Sequence, residues 1–153
     1  MKSLWNDKDA KKYGKSLLAK RVYTSRLLGA NPNLVLHGGG NTSVKIKKKD
    51  FYGISKEYLY VKGSGCDLAT INEADFSACD IQDLLSLSLM EDLSDTNMVS
   101  QSRASMLDPN SLTPSIEAIV HAVIPSKYVD HTHADLSLIH ISEPTRRYAI
   151  SYA

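Results

Sequence analysis

Two apolar stretches that each run into a glycine-rich turn constrain the fold of this chain most strongly. Residues 34–46, LVLHGGGNTSVKI, predict a strand, a glycine loop and a second strand. Residues 57–65, EYLYVKGSG, predict another strand that enters a second glycine turn. A chain of 153 residues is long enough for one sheet-containing domain with a buried core.

The segments before and after these strands have apolar residues at helical spacing. It predicts a first helix that is capped by Asn6 or Asp7, runs to about Leu28 and stops at Gly29. Later helices are predicted within 74–89, at 94–107 behind a Ser94 or Asp95 cap, and at 115–124, and a last strand is predicted at 127–133. The helix at 115–124 would have an apolar face formed by Ile116, Ile119, Val120 and Val123. This order implies an α/β or α+β layered domain.

The charge balance argues against two classes of partner. The net charge is +1, which gives no electrostatic basis for binding nucleic acid or an anionic membrane. The five basic residues in 45–56, KIKKKDFYGISK, are more typical of a solvated hairpin than of a binding patch. Cys66 and Cys79 lack CxxC spacing, and neither an apolar leader nor a membrane-length apolar run is present. We therefore expect a cytoplasmic protein.

The stretch YVDHTHAD, residues 128–135, holds two histidines at the end of a predicted strand. Residues i and i+2 of a strand point to the same face, so His131 and His133 would aim two imidazoles at one point. Imidazole suits zinc and its first-row neighbours. The stretch is therefore either part of a metal site or a polar strand end that happens to hold two histidines.

Glu117 lies in the first turn of the predicted helix at 115–124. A carboxylate there can complement the helix dipole, or it can act as a general acid/base beside a metal. His121 follows four residues later on the same face. It is more typical of a helix histidine with a satisfied hydrogen bond than of a metal ligand or of a partner to one.

The two glycine loops indicate an anion. In residues 37–43, HGGGNTS, three glycines allow backbone N–H groups to approach a ligand, and the side chains of Asn41, Thr42 and Ser43 add donors. Residues 62–65, KGSG, also place glycines directly after a strand, so their backbone N–H groups could approach an anion in the same way. Neither loop matches a Walker or GxGxxG pattern, and each alone could be a hairpin turn. Together with the helix start at 114–117, they could share one phosphate.

Four separated blocks, in this order, resemble the class II aldolase/adducin family: LHGGGNTSVK, YVKGSGCDLATI, PSIEAIVHAV and VDHTHAD. The resemblance covers roughly residues 4–135. More narrowly, it points to the N-terminal part of bifunctional aldolase/short-chain dehydrogenase proteins linked to rhamnulose-1-phosphate cleavage. It implies a three-layer αβα domain.

The resemblance also implies roles for individual residues. His131 and His133 would be two of three histidine ligands to Zn²⁺ or another divalent metal, with the third downstream. Glu117 would be the catalytic acid/base. The phosphate and substrate would be bound by Gly40, Asn41, Ser64, Gly65 and Ser115. Simpler family members have a serine directly before the glutamate, where this chain has Ile116.

The implied activity is metal-dependent cleavage of a ketose 1-phosphate, such as rhamnulose 1-phosphate, to dihydroxyacetone phosphate and a hydroxyaldehyde. A sugar-phosphate 4-epimerase on the same fold is one alternative. A non-catalytic, adducin-like interaction module is another, but it would be expected to lose the metal histidines and the acid/base. The family further implies a small phosphorylated sugar as the substrate and, for the intact parent protein, a homo-oligomer.

The last segment departs from the family pattern. Residues 136–153, LSLIHISEPTRRYAISYA, resemble the translation of a transposase-type sequencing-library adapter. We therefore expect a partial aldolase domain at 1–135, truncated on its C-terminal side, and a non-native tail at 136–153. Such a chain would lack the third histidine and is expected to be inactive by itself.

Overall fold

The computed structural model of the protein describes residues 3–36 and 38–133. Its helices are α1 Asp7–Tyr13, α2 Leu17–Gly29, α3 Ile81–Leu87, α4 Asp95–Ala104 and α5 Ala118–Val123, and a short 3₁₀ helix spans Glu73–Asp75. Its strands are β1 Asn41–Lys49, β2 Ser55–Lys62, β3 Phe76–Asp80 and β4 Tyr128–His131. The predicted domain boundary at Asp135 and the segment 136–153 lie outside the described residues. Among the helices described, none is long and apolar enough to cross a membrane.

The four strands form one antiparallel sheet in the order β3-β2-β1-β4. The lysine-rich segment forms the end of the β1–β2 hairpin, as predicted, and Lys49 pairs with Ser55 across its turn. β4 pairs only with the first half of β1, from Asn41 opposite His131 to Val44 opposite Tyr128. The shortest strand of the sheet therefore holds the first histidine of the HTH motif.

Helices cover both faces of this sheet. On one face, Val44, Tyr58 and Tyr60 pack with Val22 of α2 in one core cluster. On the other face, the core cluster joins strand residues to α3 and α5; its members are Leu59, Val61, Cys79, Ile81, Leu84, Leu87, Ala118 and Ala122. The alternation follows from the period of two along a strand. The α/β class and the three-layer αβα arrangement are confirmed.

The single first helix that the sequence predicted is two helices. Asn6 caps α1 as predicted, since its side chain accepts hydrogen bonds from the backbone N–H groups of Lys8 and Asp9. Gly14 then adopts a φ of 125°, which no α-helix can contain. Ser16 starts α2 by accepting a hydrogen bond from the Ala19 N–H at 2.9 Å.

Two strand assignments were wrong. Residues 34–36 form a turn and an irregular segment, in which Val35 is buried without joining the sheet. Residues 76–80, which were predicted as part of a helix or a turn before one, form β3. β3 is buried on both faces and contains Ser77 and Asp80, so it shows neither the alternation nor the apolar run that marks a strand in a sequence.

The predicted apolar face of the helix at 115–124 was also wrong. α5 buries Ala118, His121 and Ala122, while Val120 and Val123 are more than half exposed. Small side chains at 118 and 122 bring the helix close to the sheet. Val120 and Val123 therefore lie on the outer face, whereas Ile119 is partly buried and packs against the core cluster.

Gly29 is required for packing, not for a left-handed helix end. It is the last residue of α2, and a Cβ added there would lie 2.2 Å from the backbone nitrogen of Ala69. We expect Gly29→Ala to lower the free energy of unfolding by about 2 kcal/mol, because overpacking outweighs the gain in helix propensity. Urea unfolding measures this loss.

The control for that substitution is Gly53→Ala in the β1–β2 turn. Gly53 has a φ of 81° and no atom within 4 Å of an added Cβ. Only backbone strain remains there, at about 1 kcal/mol. An equal or smaller loss at Gly29 than at Gly53 would contradict the packing argument.

Candidate metal and phosphate site

Glu117, His131 and His133 lie together where β1 begins and β4 ends. One ligand atom from each lies within 4.8 Å of the others. Glu117 Oε1 is 2.9 Å from His131 Nδ1, and the two imidazole centroids are 4.8 Å apart. The side chains of His131 and Glu117 are 43% and 28% exposed, so a ligand can reach them. A carboxylate and two imidazoles are typical zinc donors.

Only the first of the two histidines lies in a strand. His131 is the last residue of β4, and His133 lies beyond the strand, which ends two residues earlier than predicted. Gly39 leaves room for the second ring, because a Cβ added to Gly39 would lie 3.4 Å from His133 Nδ1 and 2.9 Å from the Leu36 carbonyl oxygen. A glycine of the HGGGNTS loop therefore borders the candidate metal donors.

Glu117 is charged at neutral pH. It occupies the N-cap position of α5, and its N–H lies 3.4 Å from Ser115 Oγ. Partial burial raises the pKa of its carboxyl, but the hydrogen bond to His131, the Asn41 amide and the nearby imidazoles outweigh burial. The net effect holds the pKa of Glu117 below its ordinary value. The carboxylate is therefore available to a cation or a proton.

Asn41 presents an unused hydrogen-bond donor to this cluster. The residue is fully buried, and its Oδ1 accepts a hydrogen bond from the Thr42 N–H at 2.8 Å. Its Nδ2 lies near enough to lower the pKa of Glu117, yet it makes no hydrogen bond within ordinary limits to any described residue. Because an unsatisfied buried amide destabilises a fold, Asn41 is a ready donor for a ligand oxygen.

The two glycine loops lie side by side. Gly38, Gly40 and Gly65 have φ values of 75°, 67° and 80°, which favour glycine. Lys62 Nζ donates hydrogen bonds to the carbonyl oxygens of Gly38, at 2.9 Å, and of Cys66, at 2.8 Å. One buried ammonium group thus ties the HGGGNTS loop to the KGSG loop.

A third segment joins the two loops. The Ser64 N–H donates to the Thr113 carbonyl oxygen at 2.8 Å, and the Ser115 N–H donates to the Lys62 carbonyl oxygen at 3.0 Å. The structure therefore brings together the three segments that hold the residues predicted to bind phosphate: Gly40, Asn41, Ser64, Gly65 and Ser115. Ser64 and Gly65 are exposed, whereas Asn41 is buried.

The role of Lys62, the first residue of KGSG, was not predicted from the sequence. Its signal is a lysine directly after the apolar run YLYV. Lys62 is buried at the end of β2, and a buried ammonium group needs hydrogen-bond acceptors. Two loop carbonyls supply them here.

The sequence pattern of the class II aldolase and adducin N-terminal domain matches residues 19–142 of this chain. The chain belongs to the class II aldolase and adducin family. The protein named uncharacterized oxidoreductase YuxG, from Bacillus subtilis (strain 168), is 39% identical over 135 residues, which are 88% of this chain and 19% of that protein. The chain thus spans 19% of the length of this curated relative.

A solved structure supports the same assignment. The N-terminal class II aldolase domain of a conserved protein from Thermoplasma acidophilum is 37% identical and superposes with a TM-score of 0.81. The match covers 97% of this chain and 68% of that chain. The family resemblance drawn from the four sequence blocks is confirmed, while the bifunctional parent stays a prediction.

Class II aldolases typically depend on a divalent metal, and the residues of this domain fit such an ion. Two imidazoles and one charged carboxylate converge within 4.8 Å. The unpartnered Asn41 amide lies beside the same carboxylate. These donors are the nitrogen and oxygen ligands that zinc accepts.

His121 is a satisfied helix histidine. It is 1% exposed, and its Nδ1 lies 2.8 Å from Ser43 Oγ. His121 is not part of the three-residue donor cluster. The structure therefore favours the hydrogen-bonded interpretation over the ligand interpretation.

The burial of His121 predicts a pH-dependent stability. Burial lowers the pKa of His121 from 6.5 to about 4, against the opposing effect of Glu117. Between pH 6.5 and pH 4 the unfolded chain therefore binds a proton that the folded chain does not. We expect the free energy of unfolding to fall by about 3 kcal/mol as the pH falls through this window, with no contribution from His121 above it.

Urea unfolding from pH 7.5 to pH 4 tests this expectation, with His121→Gln as the comparison. The variant should show a flatter dependence between pH 6.5 and pH 4.5. Glu117, whose pKa is lowered, loses its stabilising charge only at more acidic pH and leaves this window unaffected. Equal slopes for the two proteins would contradict the role assigned to His121.

Proposed function

We propose that this chain is the metal- and phosphate-binding part of a class II aldolase that cleaves a ketose 1-phosphate, with a sugar similar to rhamnulose. The products would be dihydroxyacetone phosphate and a hydroxyaldehyde. One observation carries the proposal: a charged carboxylate faces two imidazoles, beside a buried amide donor that has no partner among the described residues.

His131 and His133 would hold the cation, and Glu117 lies within reach of the same point. A divalent cation bound there would supply Lewis-acid stabilisation of negative charge on the substrate oxygens. Exposure of the three side chains leaves one side open for the sugar.

The chain's own groups would bind the phosphate and move a proton. Glycines at 38, 40 and 65 allow backbone N–H groups to approach the phosphate, and Lys62 keeps the two loops together. Asn41 would donate its free N–H to a substrate oxygen. In the condensation direction, Glu117, ionised at neutral pH, would take a proton from the hydroxymethyl carbon of dihydroxyacetone phosphate, and in cleavage it would return that proton to the same carbon.

The donor set favours an enzyme over a non-catalytic module. The Asn41 amide, which is buried and has no partner among the described residues, is unfavourable for stability, and a ligand oxygen that accepts its hydrogen bond would remove that cost. The curated relative is named an oxidoreductase, but this chain spans 19% of it. Because neither glycine loop follows a nucleotide-binding pattern, we assign no redox step to these residues.

Binding of zinc and dihydroxyacetone phosphate is tested on this chain. Cleavage of the sugar phosphate is tested on a longer natural protein that contains this domain, since the resemblance places a third histidine ligand after His133. We expect the chain to bind one zinc ion and, in its presence, dihydroxyacetone phosphate. We expect the longer protein to release dihydroxyacetone phosphate from rhamnulose 1-phosphate faster than from fuculose 1-phosphate. Interconversion of ribulose 5-phosphate without such release would support a 4-epimerase and contradict the proposal.

A further inference from the structure

The strand that carries the first metal-site histidine needs an anchor. β4 has four residues and pairs with β1 through four residue pairs, and no other described strand neighbours it. Short edge strands open easily, because few hydrogen bonds hold them. A metal site nevertheless requires its ligands to be held in place before the ion arrives.

Arg21 of α2 holds β4 from the face of the sheet opposite to Glu117 and His131. This residue of α2 is 1% exposed, and its guanidinium group forms an ion pair with the Asp130 carboxylate of β4. The same guanidinium donates to the Ser43 carbonyl oxygen of β1 at 3.5 Å and to Ser25 Oγ at 3.2 Å. One buried side chain thus connects α2 with both strands of the β1–β4 pair.

The register places this connection next to the site. Asp130 pairs with Thr42, and the next pair is His131 with Asn41. Because successive residues of a strand point to opposite faces, Asp130 reaches toward α2 while His131 faces Glu117. The ring of Tyr128, two residues earlier on the Asp130 face, lies 5.9 Å from the guanidinium carbon.

We infer that Arg21 and Asp130 are positioning residues that fix β4 so that His131 and His133 present their imidazoles to a cation. The inference rests on the proposed metal site. A different explanation is purely electrostatic, since the Asp130 carboxylate would attract a nearby cation and the Arg21 guanidinium would repel it. The two explanations predict opposite effects of removing Arg21.

The experiment measures zinc affinity of the full chain by competition with a chromophoric chelator. Asp130→Asn and Arg21→Met should each weaken zinc binding about 10- to 100-fold, the range for residues that orient metal ligands. The electrostatic explanation predicts weaker binding for Asp130→Asn and tighter binding for Arg21→Met. Asp9→Asn is the matched control, because it removes an exposed ion pair with Lys12 and should leave the affinity unchanged.

Circular dichroism shows whether Arg21→Met folds, and a second variant tests the inference if it does not. Arg21→Lys keeps the charge and loses the planar fork that spans Asp130 and Ser43. Positioning predicts weaker zinc binding by Arg21→Lys, whereas the electrostatic explanation predicts no change. The Co²⁺ absorption spectrum should also change, since it reports ligand geometry.

The outcomes separate the inference from the proposed function. If the unaltered chain binds no zinc, the proposed metal site is wrong. If the unaltered chain binds zinc and the folded Arg21 and Asp130 variants bind it equally well, the inference is wrong and the metal site stands. Opposite effects of Asp130→Asn and Arg21→Met would likewise overturn the inference.

Discussion

Replacing His131 and His133 together with alanine is expected to lower the zinc affinity of this chain by more than about 100-fold, beyond the loss expected for residues that only orient ligands. The reason is that two of the three convergent donors disappear, leaving Glu117 alone. A single carboxylate holds zinc weakly in water. The affinity is measured by competition with a chromophoric chelator at pH 7.5.

His121→Gln is the matched control for the double histidine variant. His121 is buried against Ser43 and lies outside the donor cluster, so its removal should change stability but leave zinc affinity within a few-fold of the unaltered chain. Retention of tight zinc binding by the double variant would show that the ion binds elsewhere. Equal losses in both variants would mean that general unfolding explains the effect.

Replacing Glu117 with glutamine is expected to slow proton transfer about 100- to 10,000-fold, the usual contribution of a positioned acid/base. Glutamine keeps the size of the side chain but cannot exchange a proton with carbon. The measurement is solvent deuterium incorporation into dihydroxyacetone phosphate by the turnover-competent protein that carries this domain. This half-reaction needs no aldehyde, so it isolates the step assigned to Glu117.

The control for Glu117→Gln is Glu73→Gln, which changes an exposed carboxyl in the 3₁₀ helix. It should leave the exchange rate unaltered. Zinc affinity of Glu117→Gln should fall less than that of the double histidine variant, because both imidazoles remain. An exchange rate for Glu117→Gln equal to that of the unaltered protein would remove Glu117 from the mechanism.

The convergence of the candidate site's residues could be predicted from the sequence because their types are unusual in combination. Two histidines at i and i+2 and three consecutive glycines each limit what a segment can do, and the order of four blocks identified the family. Local position suggested Asn41 as a donor and Glu117 as an acid/base among other interpretations, and the family resemblance selected these roles. Neither a lone asparagine nor a lone glutamate is distinctive by itself.

Other features depend on tertiary contacts that no local pattern contains. β3 contributes Phe76 to the core cluster on one face of the sheet and Cys79 to the cluster on the other, so burial on both faces removed its alternation. α5 buries alanines because the sheet approaches closely, and its valines were therefore assigned to the wrong face. The Arg21–Asp130 pair joins residues that are 109 positions apart, and only the fold brings them together.

The most direct test of the proposed metal site is anomalous diffraction at the zinc edge from crystals of this chain grown with zinc. We expect one strong peak at about 2.0–2.1 Å from a ring nitrogen of His131 and of His133, on the side where Glu117 lies. A zinc peak at another place in the chain, with these three side chains uncoordinated, would contradict it.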